Sequence, residues 1–133
     1  MRTWIAAAGL LWASNAPSAW AEDAASRAEA ILANSCVRCH GEDAKKGGLD
    51  LSLRASALEG GDLGPAIVEG DPDESLLIEK VEGGEMPPKS PLKPEDVEAL
   101  RAWIAAGASY AKEPLSPPRA GADWWSLRPI ADP

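Results

Sequence analysis

The stretch Cys36-Val37-Arg38-Cys39-His40 holds both cysteines and the only histidine of the chain. Its pattern is C-x-x-C-H, in which two thiols three residues apart are followed at once by an imidazole. Thiols at this spacing can each bond one vinyl group on the same edge of a porphyrin, and the histidine then faces the iron. The motif therefore predicts one covalent haem c, attached through Cys36 and Cys39, with its iron bound by His40.

Two other kinds of site could use the same residues. A redox-active C-x-x-C disulfide belongs beside a βαβ pattern, and no run of strand-forming residues here resembles one. A structural zinc site needs four ligands, whereas two cysteines and one histidine supply three. Both interpretations stay open, and the haem site is favoured.

Candidates for the second iron ligand can be reduced by elimination. A second histidine is absent, and methionine is the other common ligand in electron-transfer cytochromes, where it raises the reduction potential. Met86 is the only methionine besides Met1, and it lies in Gly83-Gly84-Glu85-Met86-Pro87-Pro88. The glycines allow close backbone approach, and the prolines stiffen the loop. We therefore predict that Met86 binds the iron; the alternative is a methionine that fills a gap against the core.

The N-terminus has the features of a secretory signal peptide. Arg2 precedes a short apolar stretch, residues 5–13, and Ala19-Trp20-Ala21 fits the small-x-small cleavage pattern. An uncleaved membrane anchor is disfavoured, because residues 3–13 are too few to cross a bilayer, which needs about 20. The sequence predicts a signal peptide over residues 1–21, cleavage after Ala21, and a periplasmic or otherwise exported protein without stable membrane insertion.

Composition allows one small domain and excludes some partners. The chain has 133 residues, of which 45% are hydrophobic but only 5% aromatic. A core this poor in aromatic residues usually needs a staple, and a covalent haem would supply both a large apolar body and the cross-link. The formal net charge of −8 argues against nucleic acid and against an anionic membrane surface as partners.

Helix signals divide the chain into segments. The sequence predicts helices over about 23–33, 71–83 and 95–106, with one helical turn near 52–58. Asp71 followed by Pro72 predicts the start of the helix over residues 71–83. For Gly64-Pro65 two interpretations stay open: an ordinary turn, or a backbone carbonyl that accepts a hydrogen bond from His40.

Several further blocks follow the C-x-x-C-H motif in a characteristic order. They are residues 36–41, 47–51, 64–72, 75–77, 86–88, 92, 94–95, 103–105 and 107–108. This arrangement resembles the small monohaem cytochrome c fold and, more narrowly, the planctomycete-type cytochrome c domain found at the N-terminus of large exported bacterial proteins. The resemblance covers residue 30 to about residue 110. It implies an all-α fold of three to five short helices wrapped around one covalent haem, with His40 proximal and Met86 distal.

The resemblance also helps to interpret the two ends of the domain. We predict a cytochrome c domain over residues 22–112 and a tail or linker, rich in proline and tryptophan, over residues 113–133. In the family, a similar tryptophan-containing stretch leads into a large domain. Adjacent apolar side chains at Trp124-Trp125 therefore predict contact with a downstream domain or another protein.

Charge is concentrated just before the proposed Met86 ligand. Residues 69–85 hold seven carboxylates and one basic residue, Lys80. One interpretation is a solvated helix face. The other is a docking surface beside the haem edge, which predicts a redox partner with a basic surface.

The sequence predicts an exported carrier of single electrons rather than an enzyme. Its only histidine is assigned to iron, and no carboxylate pair or nucleophile–base pair is a candidate for catalysis. Two alternatives stay open. The chain is a redox module separated from a larger exported enzyme, or it is a haem sensor whose iron keeps an open sixth position.

Overall fold

The chain folds into short helices joined by long loops. The computed structural model describes residues 19–118, with side chains from residue 22 onwards. Its α-helices are α1 (Ala19–Ile31), α2 (Arg54–Glu59), α3 (Leu76–Glu82) and α4 (Pro94–Ala105). A π-helical turn, Leu32–Cys36, continues α1, and a 3-10 turn spans Lys46–Gly48. Residues 19–118 contain isolated β-bridges but no strands, so the predicted all-α fold is confirmed.

The last helix, α4, is central to the core. It packs against both α1 and α3, and its buried stripe consists of Leu100, Trp103 and Ile104. The Trp103 indole N–H donates a hydrogen bond of 2.8 Å to the Ser109 carbonyl oxygen, and its ring lies 5.3 Å from that of Tyr110. A fully buried tryptophan with its polar atom satisfied fixes how α4 sits on the domain.

The first helix reaches the C-x-x-C-H motif through an irregular turn. The helix predicted to end near residue 33 instead widens into the π-helical turn, where the Val37 N–H donates to the Leu32 carbonyl oxygen at 2.9 Å. Such a turn holds one more residue than an α-helical turn and changes the direction of the side chains that follow. The predicted leader, residues 1–21, lies mostly outside the described residues, so its cleavage stays a prediction.

The prediction that a helix starts at Asp71 is wrong. Asp71 accepts hydrogen bonds from the N–H groups of Asp73 and Glu74, both at 3.2 Å, but they close a turn and not an α-helix. The Ser75 hydroxyl donates to the Asp71 carbonyl oxygen and accepts from the Val68 N–H, which ties residues 68–75 into a compact loop. Side-chain bonds of this kind compete with helix formation, and α3 therefore begins only at Leu76.

The chain after α4 folds back onto the domain. Arg54 donates to the carbonyl oxygens of Gly107 and Ala108, both at 2.9 Å, and its backbone N–H donates to the carboxylate of Glu113. Leu115 is 8% exposed and its N–H donates to the Ser52 carbonyl oxygen. The first residues of the predicted tail thus pack against the domain, whereas Trp124-Trp125 lies outside the described residues. Among the described helices, none has the length and apolar character to cross a membrane.

Candidate functional site

One cavity collects the four residues that the sequence predicts for the site. Its volume is about 370 Å³, within the range of about 300–1,000 Å³ typical of ligand pockets. Cys36, Cys39, His40 and Met86 all lie on its wall. The rest of the wall is mostly apolar and includes Leu49, Leu51, Leu63, Ala66, Leu76, Leu77, Val81, Pro87 and Pro88.

The two cysteines reach this cavity from a single tight turn. The N–H groups of Cys39 and His40 both donate to the Cys36 carbonyl oxygen, at 3.0 and 2.9 Å. The two thiols are free, and no disulfide joins them. Burial, together with the neighbouring Cys39, raises the pKa of Cys36 to about 11. The Cys36 thiol is therefore protonated at neutral pH, which does not suit a redox-active disulfide that depends on a thiolate.

The imidazole of His40 is oriented by a backbone carbonyl. Its Nδ1 lies 2.9 Å from the carbonyl oxygen of Lys46, which accepts a hydrogen bond when Nδ1 carries the proton. The other nitrogen, Nε2, then has a free lone pair, as a metal ligand requires. Of the two interpretations left open for Gly64-Pro65, the ordinary turn is confirmed, because Lys46 supplies the carbonyl that meets His40. Gly64 instead donates its N–H to the Gly61 carbonyl oxygen at 3.0 Å and forms an ordinary turn.

Gly47 and Gly61, each from a Gly-Gly pair, lie on the wall of the cavity. Gly47 and Gly48 have φ of +65° and +68°, in the left-handed region that favours glycine. A Cβ atom at Gly61 would lie 2.3 Å from the Gly47 carbonyl oxygen, so the two loops meet backbone to backbone. The sequence alone predicts no role for these glycines in the site. The signal was present in the two Gly-Gly pairs, but their spatial neighbours are not visible from sequence.

Met86 lies on the loop that leaves α3. The N–H groups of Glu85 and Met86 both donate to the Lys80 carbonyl oxygen at 3.1 Å, and the Lys80 ammonium lies 2.7 Å from the Glu85 carboxylate. The hydrogen bond that the Lys80 ammonium donates to that carboxylate raises the pKa of Lys80. The loop is thus tied to the last turn of α3, with Met86 at the cavity and 39% exposed.

The donor set fits a covalent haem. Two thiols at C-x-x-C spacing, an imidazole with one nitrogen hydrogen-bonded, and a thioether share one apolar cavity. These are the groups that attach and ligate haem c. Within residues 22–118, no cluster of three or more His, Cys, Asp or Glu side chains is arranged to hold a metal ion.

Basic side chains form ion pairs with several carboxylates of the acidic segment, residues 69–85. Arg101 pairs with Asp73 and Glu82, Arg54 pairs with Glu69, and Lys80 pairs with Glu85. Four of the seven carboxylates of residues 69–85 are therefore in ion pairs. For the other three, Asp71, Glu74 and Glu79, the described part of the chain contains no ion-pair partner.

Comparison with known families agrees with this site. The sequence model of the family described as Planctomycete cytochrome C matches residues 36–90. This match supports a planctomycete-type cytochrome c domain in that part of the chain. Every cavity-lining residue except Ser35 falls within the matched segment. Searches of curated proteins and of solved structures found no match.

The matched family indicates the general function. A cytochrome c domain indicates haem-based electron transfer and haem c, with its iron, as the cofactor. Domains of this kind are typically electron carriers rather than enzymes, and they are typically exported.

Proposed function

We propose that this protein is an exported carrier of single electrons whose haem c is attached to Cys36 and Cys39 and ligated by His40 and Met86. The observation that supports it best is the shared wall: two thiols, an imidazole and a thioether lie on one apolar cavity of about 370 Å³. When bound, the haem supplies an iron that alternates between the ferrous and ferric states.

Each residue has a separate task in this proposal. The two cysteine sulfurs hold the cofactor in a domain too small to enclose it completely. His40 offers Nε2 to the iron while the Lys46 carbonyl fixes its ring. Met86 offers a weak thioether ligand, which the backbone hydrogen bonds from Glu85 and Met86 to the Lys80 carbonyl oxygen keep in place. The apolar wall limits water near the iron, which favours the less charged ferrous state.

The haem itself can be tested directly on the purified, exported protein. We expect the haem to stay with the polypeptide through acid-acetone extraction, because thioether bonds survive a treatment that removes non-covalent haem. A spectrum of the reduced, extracted polypeptide is the measurement. A colourless polypeptide, or haem recovered in the acetone phase, would contradict the proposal.

We also propose export and a redox partner with a basic docking surface. Support for export comes from the Ala19-Trp20-Ala21 cleavage pattern and from the typical location of the family. Support for the basic partner comes from the overall charge and from Asp71, Glu74 and Glu79, exposed carboxylates near α3. Trp124-Trp125 is proposed as a further contact with a downstream domain or another protein.

Salt dependence tests the electrostatic part of this proposal. With cationic hexaammineruthenium as the redox probe, we expect electron transfer to slow as salt is added, because screening weakens attraction to an acidic surface. With anionic ferricyanide, the rate should rise instead. Glu79→Gln should reduce both salt effects more than Glu42→Gln, a matched change on the loop next to the C-x-x-C-H turn. Rates that do not depend on salt would contradict electrostatic docking.

A further inference from the structure

The carboxylate of Asp50 is almost fully buried, and the site described so far does not use it. Asp50 is 4% exposed. It accepts hydrogen bonds from both the backbone N–H and the hydroxyl of Ser52, at 2.9 and 2.5 Å, and it lies 3.3 Å from the Lys45 ammonium. Burying a carboxylate costs free energy unless it is paired and hydrogen-bonded in this way. The contacts with Ser52 and Lys45 are therefore what allow Asp50 to be buried.

The position of Asp50 connects it to the iron ligand. The Leu51 N–H donates to the His40 carbonyl oxygen at 2.7 Å, and the Lys46 N–H donates to the Cys39 carbonyl oxygen at 3.1 Å. These bonds close the loop of residues 40–51 at both ends. Within this loop, Asp50 forms an ion pair with Lys45. The next residue along the chain, Lys46, is the one whose carbonyl oxygen lies 2.9 Å from Nδ1 of His40.

The charge on Asp50 is stable in this setting. Burial alone would raise the pKa of its carboxyl group, but hydrogen bonds from Ser52 and the neighbouring Lys45 more than compensate, and the net pKa is lowered. The carboxylate is therefore ionised at neutral pH and can hold Ser52 and Lys45 together. Ser52 is itself 1% exposed, so its hydroxyl has little freedom to turn elsewhere.

We propose that Asp50 is a positioning residue for the haem ligand His40. By joining Lys45 to Ser52, it keeps the Lys46 carbonyl oxygen at hydrogen-bond distance from Nδ1 of His40. That bond increases the electron density of the imidazole and stabilises ferric iron relative to ferrous iron. The inference rests on the proposed function, because it takes His40 as an iron ligand.

The test compares three variants of the haem-loaded protein. Asp50→Asn removes the charge and weakens the contacts. Ser52→Ala leaves every charge in place and removes only the hydroxyl that bonds Asp50. Asp43→Asn, an exposed residue of the same loop, is the matched control for loss of one negative charge. Thermal unfolding shows which variants fold, and Ser52→Ala carries the test if Asp50→Asn does not.

Two measurements report on His40 itself. At a fixed solution potential, we expect Asp50→Asn to raise the ferrous-to-ferric ratio roughly three- to tenfold, the effect of one weakened hydrogen bond. Ser52→Ala should change this ratio in the same direction by a smaller factor, and Asp43→Asn should leave it close to the original value. Hydrogen exchange of the His40 Nδ1 proton, followed by nuclear magnetic resonance of the ferrous protein, should accelerate in Asp50→Asn and Ser52→Ala only.

The outcomes distinguish a positioning role of Asp50 from the effect of losing its negative charge. If Asp50→Asn raises the ratio while Ser52→Ala changes neither the ratio nor the exchange rate, the effect is that of the lost charge and the inference is overturned. Unchanged values in both variants overturn it as well. A wild-type protein without covalent haem would instead contradict the proposed function, which keeps the two failures distinguishable.

Discussion

Replacing both Cys36 and Cys39 with serine is expected to abolish covalent haem and to leave the domain largely unfolded. The cavity of about 370 Å³ explains the size of the effect. At about 24 cal/mol per Å³, an unfilled core cavity of this volume would cost about 9 kcal/mol as an upper bound, since this cleft is open to water. Small domains have a total stability of about 5–15 kcal/mol, so little would remain.

Haem staining after a denaturing gel and thermal unfolding by circular dichroism measure this result. The single variants Cys36→Ser and Cys39→Ser each keep one thiol, and we expect them to retain haem with lower stability. Ser35→Ala, beside the motif and on the same cavity, is the control and should keep both haem and fold. A double variant that still carries covalent haem would show that these cysteines are not the attachment points. A haem-free double variant that melts like the wild type would contradict the expected loss of stability.

The sequence motif allowed part of the cavity wall to be anticipated. Thiols and an imidazole adjacent along the chain stay adjacent in space, which is why Cys36, Cys39 and His40 were expected at one site. Met86 could be proposed only by elimination, since it lies far along the chain, and the structure places it on the same cavity. The last helix was also predictable, because its apolar spacing and opening Pro94 agree with each other and nothing competes with them.

The features that sequence missed depend on contacts between distant residues. Asp71 and Pro72 are a sound start signal for a helix, but the Ser75 hydroxyl bonds back to residues 68 and 71 and delays α3. The carbonyl oxygen that lies beside His40 belongs to Lys46. Every residue type has a backbone carbonyl, so the identity of this residue could not indicate the contact. The acidic segment looks highly charged in sequence, yet Arg101, 16 residues after its end, pairs with two of its carboxylates.

Replacing Met86 with leucine is expected to open the sixth position of the iron. Leucine keeps the apolar volume of the side chain, but it has no sulfur to offer as a ligand. The reduced variant should therefore bind carbon monoxide rapidly, while the wild type binds it slowly. The reduction potential should also fall, on the order of 0.1 V within the range of about 0.8 V that axial ligands span, because a thioether favours ferrous iron.

The control must separate loss of the sulfur from general loosening of the cavity mouth. Leu63 is suitable, since it lines the same cavity and is 77% exposed. Leu63→Ala should leave carbon monoxide binding slow and the potential close to that of the wild type. Stopped-flow absorbance and potentiometric titration are the measurements. Rapid carbon monoxide binding by the wild type itself would show that Met86 does not bind the iron. It would favour the interpretation of the protein as a haem sensor, because a ligand could then reach the sixth position without displacing a side chain.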